Sequence, residues 1–280
     1  MKFRIALGWL LLASLAGAED ARLRGGNLLG CETYSFRSLI RAGKLDPLTV
    51  PELYRKLGIR GISYNDIFFK SFDDDYVDRV KAAAKKANRT IFCFVMEGNL
   101  VSAGEEQRRR QIEIDKQKLR VARRLGAPLV RVNIGNPGRQ ENASDAMVVE
   151  RAVAAFKELL PLAQQLGIRM SIENHGGLSG KAENIVQIIQ QTDAKWVGAL
   201  LDFGNTPPAS RYQDAAQMAP YALTTHVKNG EGDIVDVDIP RLLEILKKNR
   251  YKGPISIEYE LNGDPVQGVQ ELKAVILKNW

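Results

Sequence analysis

The sequence predicts a single-domain (β/α)8 TIM barrel, and three features of its 280 residues support this fold class. Short runs of β-branched and apolar residues alternate with longer amphipathic segments about eight times from residue 28 onward. The short runs are apolar almost throughout, which is typical of parallel strands that are covered on both faces. No Gly-x-Gly-x-x-Gly follows any of them, so a doubly wound sheet is the less favoured alternative.

Eight segments are predicted to be strands. In chain order they span residues 28–36, 58–66, 90–97, 128–135, 168–175, 196–204, 223–229 and 254–260. Segments with a clear helical period lie between them, and they span residues 76–88, 105–126, 147–167, 183–193 and 239–250. Several of these helices close with Leu-Gly or Asn-Arg, which are helix C-terminal signals. Because no low-complexity linker interrupts the series, residues 19–280 are predicted to form one domain.

The first 18 residues are predicted to be a cleaved secretory signal peptide. Lys2 and Arg4 precede an apolar run that closes with AGA at residues 16–18, a site that signal peptidase can cut before Glu19. This run is short for a membrane span, so an uncleaved anchor is the less favoured alternative. We therefore expect a secreted or periplasmic protein that has no membrane contact after cleavage.

Composition narrows the remaining classes of protein. The chain is 45% apolar and 26% charged, as ordinary globular proteins are, which excludes intrinsic disorder. Loss of Lys2 and Arg4 with the signal would lower the formal net charge from +7 to +5. This modest excess is spread over several predicted helices, so we expect no nucleic-acid partner. Cys31 and Cys93 both lie in apolar runs and are predicted to be buried free thiols, with a disulfide as the alternative.

Ionisable side chains stand at the ends of the last four predicted strands. In chain order they are Glu173, Asp202, His226 and Glu258. Because the functional groups of TIM barrels sit at the C-terminal ends of the strands, all four are expected to point into one mouth. Three carboxylates in an apolar mouth repel each other strongly unless a cation neutralises them. Oxygen ligands with one imidazole suit a single divalent metal ion, Mn²⁺ first, with Co²⁺, Mg²⁺ or Zn²⁺ as alternatives.

Five further residues near strand ends are candidates for binding substrate. His175 lies two residues beyond Glu173, so strand periodicity would turn it the same way, and a structural contact is its alternative role. Lys228 lies two residues beyond His226 and could stabilise negative charge on substrate oxygens, with a plain surface position as the alternative. The other three candidates are Asn205, Asn133 and Glu97.

Four motifs together resemble the xylose isomerase-like TIM-barrel superfamily, and within it the sugar phosphate isomerase/epimerase group. They are SIENHGG, LLDFGN, THVKNGEGD and ISIEYE, and they carry the four ionisable residues in the order and spacing of that group. The opening LGCETYSFR and the closing YKGPISIEYELNGDP extend the resemblance over nearly all of the chain after the predicted signal. The resemblance implies that Glu173, Asp202, His226 and Glu258 hold a divalent metal, and that Glu173 and Glu258 are the catalytic acid/base pair.

The resemblance also implies the chemistry. Chelation of a carbonyl and the adjacent hydroxyl acidifies the C–H group between them, and a carboxylate can then remove that proton. We therefore expect a metal-dependent isomerase or epimerase that acts on a small-molecule carbohydrate, namely a free sugar, keto-sugar or polyol. A phosphorylated substrate is disfavoured because no Gly-rich phosphate-binding loop is present. A lyase or dehydratase that acts on keto-sugars or 3-keto-glycosides by the same enediolate chemistry is the alternative.

Two other functions are disfavoured. An endonuclease IV-like nuclease of the same fold needs several histidines for its three zinc ions, and this chain has only His175 and His226. A non-catalytic carbohydrate-binding barrel would be indicated by loss of Glu173 or Glu258, and both are present. The sequence is compatible with a monomer and with a homo-oligomer.

The sequence departs from the resemblance at two places. Many relatives have a histidine three residues after the aspartate, where this chain has Asn205. An arginine that some epimerases carry after the ligand histidine is missing from the short loop that follows His226. A complete proton relay is therefore in doubt, and we expect the substrate pocket to be built differently.

Overall fold

Eight parallel strands close into a barrel in the computed structural model, which confirms the predicted fold class. The structure describes residues 20–137, 142–177, 180–232 and 234–280. The predicted signal peptide lies outside these residues. Within the described ranges, no helix combines the length and apolar character needed to cross a membrane. Both cysteines are buried and free, as predicted.

The barrel strands fall within the predicted segments, except that β7 begins one residue earlier. They are β1 (Leu29–Glu32), β2 (Gly61–Asn65), β3 (Thr90–Met96), β4 (Leu129–Val132), β5 (Arg169–Glu173), β6 (Val197–Asp202), β7 (Ala222–Val227) and β10 (Ile255–Ile257). Around the barrel their order is β1-β10-β7-β6-β5-β4-β3-β2. A small second sheet follows the ends of β7 and β10, and it is formed by β8 (Gly230–Gly232), β9 (Ile234–Val235) and β11 (Glu260–Leu261).

The five predicted helices are confirmed as α3 (Asp74–Lys86), α4 (Glu105–Leu125), α5 (Asp145–Leu166), α6 (Ala182–Gln191) and α8 (Ile239–Lys248). Within the described residues, the structure adds four α-helices, which are α1 (Arg37–Arg41), α2 (Val50–Lys56), α7 (Arg211–Met218) and α9 (Pro265–Asn279). The first three of these span eight residues or fewer, which is too short to display a helical period.

The Leu-Gly pairs end helices as predicted. Gly126 follows α4 and Gly167 follows α5, and both adopt the left-handed conformation with φ of 86° and 67°. A residue with a Cβ is strained in this conformation, so glycine at each position lets the chain turn sharply from the helix into the next strand. These turns lead into the amino ends of β4 and β5, which are parallel, so the carboxyl ends of both strands lie at the other end of the barrel.

The ring of Phe92 on β3 packs against glycines of β1 and β2. The register between β2 and β3 skips Phe92, which leaves it as an extra residue in β3. A Cβ atom placed on Gly30 or Gly61 would lie 2.4 Å or 2.9 Å from a ring carbon of Phe92, so these two glycines make room for the ring.

Helix α4 carries two buried charged side chains behind the end of β3. The ammonium of Lys118 donates a hydrogen bond to the carbonyl oxygen of Glu97 at 2.7 Å and forms an ion pair with Asp66. Asp115 accepts a hydrogen bond from Gln111 at 2.8 Å through Oδ1, while its buried Oδ2 accepts none. Burial therefore raises the pKa of Asp115 to about 7.

Replacement of Asp115 by asparagine should remove a pH-dependent loss of stability. Because the pKa in the folded state lies above its unfolded value, deprotonation destabilises the native protein as the pH rises from about 4 through about 7. Asp115→Asn should therefore raise the free energy of unfolding by about 2 to 4 kcal/mol at pH 8, and much less at pH 5. Urea unfolding at both values checks this, with the exposed Glu158→Gln as control. An equal effect of Asp115→Asn at both values would contradict it.

Candidate metal centre

The four predicted ligands converge at the carboxyl ends of four barrel strands. Glu173 ends β5, Asp202 ends β6, His226 lies near the end of β7 and Glu258 follows β10. One potential ligand atom of each lies within 4.8 Å of those of the others, and all four side chains are buried. The parallel register sets Asp202 directly beside His226. The architecture therefore assembles this group from residues that are far apart in the sequence.

The imidazole of His226 faces all three carboxylates through Nδ1. This atom lies 3.0 Å from Glu173 Oε1, 3.2 Å from Glu258 Oε2 and 3.9 Å from Asp202 Oδ2. Burial lowers the pKa of His226, but the charges of Glu258 and Glu173 outweigh it and raise the pKa well above its usual value. The same four atoms mark the place where a cation would meet all the ligands at once.

Two of the carboxylates have one oxygen held by the protein and the other directed at His226. Glu173 Oε2 accepts a hydrogen bond from Arg131 Nε at 2.7 Å, which leaves Oε1 for the centre. The backbone N–H groups of Gly204 and Asn205 donate to Asp202 Oδ1 at 2.7 Å and 2.8 Å. Carboxylates held in this way are oriented to bind a metal through a single oxygen.

Asp202 Oδ2 provides a direct test of whether a metal ion fits. This oxygen is buried and accepts no hydrogen bond, although the ammonium of Lys228 lies 3.0 Å away as an ion pair. Burial raises the pKa of Asp202 to about 8, against the lowering effect of Lys228. A buried oxygen without a hydrogen bond is costly, and a divalent cation would satisfy it. Three oxygen ligands and one nitrogen ligand therefore fit a divalent ion.

The side-chain amide of Asn174 fixes the strand that carries Asp202. Asn174 Nδ2 donates to the carbonyl oxygen of Asp202 at 2.9 Å, and Asn174 Oδ1 accepts from its N–H at 2.8 Å. This paired contact joins the end of β5 to the end of β6. The amide in SIENHGG, which the sequence left without a role, therefore sets the spacing between two ligands.

Arg131 is the main site residue that the sequence analysis missed. Its side chain on β4 is only 2% exposed and binds Glu173 on one side and Glu97 Oε1, at 2.7 Å, on the other. Burial lowers the pKa of Arg131, but the charges of Glu173 and Glu97 raise it above its ordinary value. Conversely, burial raises the pKa of Glu173, and the charges of Arg131 and His226 bring it well below its usual range. An arginine inside the apolar run PLVRVNIG was the available signal.

Lys228 is buried and lies against the ligands rather than on the surface. Its ammonium lies 2.9 Å from Glu258 Oε2, forms an ion pair with Glu260 and donates to Asn205 Oδ1 at 3.2 Å. Burial raises the pKa of Glu258, but His226 and Lys228 lower it well below its usual value. Burial lowers the pKa of Lys228, but the carboxylates around it, Asp202 first, raise it well above its usual value.

Four of the five predicted substrate-binding residues line one cavity beside the ligands. This cavity has a volume of about 460 Å³, and its wall includes His175, Lys228, Asn205 and Glu97. The fifth, Asn133, does not line it. Asn133 Nδ2 instead donates to Glu97 Oε2 at 2.6 Å, and Asn133 Oδ1 accepts from the N–H of Gly135 at 2.9 Å. The wall also contains residues that the sequence analysis did not select, among them Tyr34, Arg41, Asn65, Ile67 and Glu260.

Glu32 adds another buried carboxyl group at the end of β1. The N–H of Tyr34 donates to Glu32 Oε2, while the buried Oε1 has no hydrogen-bond partner. Burial, and next the charge of Glu258, raise the pKa of Glu32 well above its usual value. The rule that selected the four ligands, an ionisable residue at the end of an apolar strand, would also have selected Glu32.

Comparison with known proteins places this geometry in a family. A family model described as xylose isomerase-like TIM barrel matches residues 51–278. No curated protein sequence matches the chain significantly. Among solved structures, the chain is similar to 3-keto-D-glucoside 4-epimerase from E. coli, with a TM-score of 0.73 and 16% identity over 89% of this chain and 98% of the other.

Two further solved structures have the same fold. The IOLI protein with a bound zinc atom has a TM-score of 0.74 and 15% identity over 90% of this chain and 99% of its own. Mannonate dehydratase from Streptococcus suis serotype 2 has a TM-score of 0.68 and 15% identity over 90% of this chain and 95% of its own. Identities this low show a common fold. The family model, in contrast, covers most of the chain, and the protein therefore belongs to the xylose isomerase-like TIM barrel family.

Proposed function

We propose that the protein is a divalent-metal-dependent sugar isomerase or epimerase that removes the proton next to a carbonyl group of a free sugar, keto-sugar or polyol. The observation that carries the proposal is the buried group of three carboxylates and one imidazole, which opens onto a cavity at the carboxyl end of the barrel. The similarity to a solved keto-glucoside epimerase supports it.

Glu173, Asp202, His226 and Glu258 would hold the ion. When bound, the ion would polarise the substrate carbonyl and stabilise the negative charge that develops as the neighbouring carbon loses its proton. Mn²⁺ is our first choice because oxygen ligands predominate. Zn²⁺ is the next choice because the IOLI protein of the same fold contains zinc, and Co²⁺ and Mg²⁺ are further alternatives.

Glu173 and Glu258 are the proposed acid/base pair. They lie on β5 and just after β10, strands that β6 and β7 separate, so they approach the ligand centre from different sides. A proton that one carboxylate removes from the substrate carbon can be returned to the opposite face by the other, which inverts that carbon. Return of a proton to the adjacent carbon instead moves the carbonyl group and gives isomerisation.

The cavity wall favours an uncharged carbohydrate. Its two buried cations, Arg131 and Lys228, are already paired with carboxylates of the protein. Glu97 and Glu260 add negative charge to the same wall, and Arg41, which is exposed at its edge, adds one positive charge. A phosphate or carboxylate on the substrate would meet this negative charge at a low local dielectric, whereas neutral hydroxyl groups can hydrogen-bond to it. His175 and Asn205 are the proposed partners of the remaining hydroxyl groups.

Purified protein, once stripped with a chelator, should bind about one Mn²⁺ per chain. Asp202→Asn should weaken this binding at least about tenfold, because it replaces the charged ligand oxygen that has no hydrogen bond by a neutral one. Isothermal titration calorimetry gives the stoichiometry and affinity, and Glu158→Gln is the matched surface control. Unchanged affinity in Asp202→Asn would contradict the assignment of this ligand.

Glu258→Gln should abolish proton exchange at the substrate carbon. In D₂O with saturating Mn²⁺, the wild-type protein should incorporate deuterium next to the carbonyl group of a bound keto-sugar, and NMR would follow the exchange. Loss of the base should slow it by about 10²- to 10⁴-fold. Saturating Mn²⁺ compensates for weaker metal binding, so a loss of exchange reports the missing base. Normal exchange in Glu258→Gln with both epimers of the substrate would refute the assigned role.

A product screen separates the proposed reaction from elimination. Free ketoses, inososes and 3-keto-glycosides are incubated with the protein and Mn²⁺, and the products are identified by NMR. We expect products with the same formula as the substrate. Loss of a substituent β to the carbonyl group would instead identify a lyase or dehydratase. The similarity to a solved mannonate dehydratase supports this alternative.

A further inference from the structure

The ammonium of Lys228 contacts the oxygens that two metal ligands direct toward the centre. Nζ lies 3.0 Å from Asp202 Oδ2 and 2.9 Å from Glu258 Oε2. The same two oxygens face His226 Nδ1, which lies 3.9 Å from Asp202 Oδ2 and 3.2 Å from Glu258 Oε2. Lys228 therefore shares its contacts with any ion that the four ligands bind.

Arg131, the other buried cation of the site, is placed differently. It binds Glu173 through Oε2, whereas the oxygen of Glu173 that faces His226 is Oε1. Arg131 therefore supports a ligand from behind, and Lys228 lies on the ligating side.

The position of Lys228 is fixed by several groups at once. Besides the two ligands, its ammonium contacts the carboxylate of Glu260 and donates to Asn205 Oδ1 at 3.2 Å. The side chain is only 2% exposed, so it has little freedom to move away from these oxygens. Its ammonium group is therefore held against the two ligand oxygens.

Such a charge has two opposite effects on a metal centre. It reduces the repulsion between Asp202 and Glu258, which stabilises the assembled ligands. A carboxylate oxygen offers more than one acceptor direction, so it can hold an ammonium group and a metal ion together. The two cations then repel each other at short distance, which weakens the binding of the ion.

We propose that Lys228 is a positioning residue that serves as a built-in counter-cation of the metal centre. It keeps Asp202 and Glu258 assembled, and it lowers the affinity of the site for divalent ions. The inference rests on the proposed metal site and is independent of the reaction that the site catalyses.

Lys228→Met, which keeps an unbranched side chain and removes the terminal ammonium group, tests the proposal. In a chelator, the urea midpoint of this variant should fall below that of the wild-type protein, and saturating Mn²⁺ should restore most of the difference. By calorimetry, its Kd for Mn²⁺ should be about tenfold lower or more. Lys228→Arg keeps the charge but is bulkier, so its urea midpoint can fall, whereas its Kd for Mn²⁺ should stay close to that of the wild-type protein.

Lys118→Met is the matched control. Lys118 is also a buried lysine in an ion pair, but its partners are Asp66 and the carbonyl oxygen of Glu97, not the ligands. Its loss should lower the urea midpoint equally with chelator and with Mn²⁺, and it should leave the Kd for Mn²⁺ unchanged. This pattern distinguishes loss of a buried ion pair from an effect on the metal centre.

Three results would overturn the proposal. They are a Kd for Mn²⁺ that is unchanged or higher in Lys228→Met, a loss of stability that Mn²⁺ does not restore, and a variant that stays unfolded at saturating Mn²⁺. Failure of the wild-type protein to bind any divalent ion would instead refute the metal site itself. The wild-type titration therefore separates failure of this inference from failure of the proposed function.

Discussion

The crowding of buried carboxylates at one end of the barrel is the constraint on which the site depends. Carboxylates taken out of water repel each other and favour protonation unless positive charge lies close by. The order of the strands in the barrel places positive charge beside these carboxylates. Neighbouring strands set Arg131 of β4 between Glu97 and Glu173, and Lys228 after β7 between Asp202 and Glu258. Cations and acids thus alternate along much of the mouth, and each cation joins acids that are distant in the sequence.

The strand ends could be predicted because a simple rule governs them. A charged residue at the carboxyl end of an apolar strand of a barrel lies at the mouth, where the functional groups of this fold are found. Glu173, Asp202 and Glu258 were therefore recognisable from the sequence. Arg131 was missed because it stands inside a strand, where an apolar residue is expected. Its partners are Glu97, just after β3, and Glu173, at the end of β5, and these strands lie on either side of β4. Its role becomes evident only when the barrel closes.

The same limit explains the other differences between prediction and structure. Asn133 satisfies the strand-end rule, yet its amide is used to hold Glu97, because the rule gives the position of a side chain and not its partners. Three of the added helices are too short for a period, whereas α9 had a readable signal in the Asp264 side chain, which accepts from the N–H of Val266 at 2.8 Å. Local sequence patterns therefore predict the strands and most of the longer helices, whereas the contacts of the site residues depend on pairings across the barrel.

The contacts of Asn205 show what this residue does at the position where many relatives have a histidine. The amide oxygen at this position accepts a hydrogen bond from Lys228, so the two residues form one unit with Asp202, whose Oδ1 accepts from the N–H of Asn205. An amide does not gain or lose a proton near neutral pH, so it cannot serve as the relay that a histidine could provide. In the proposed reaction, proton transfer therefore falls to Glu173 and Glu258. In the same proposal, the residues between them, on and just after β6 and β7, orient oxygens and balance charge.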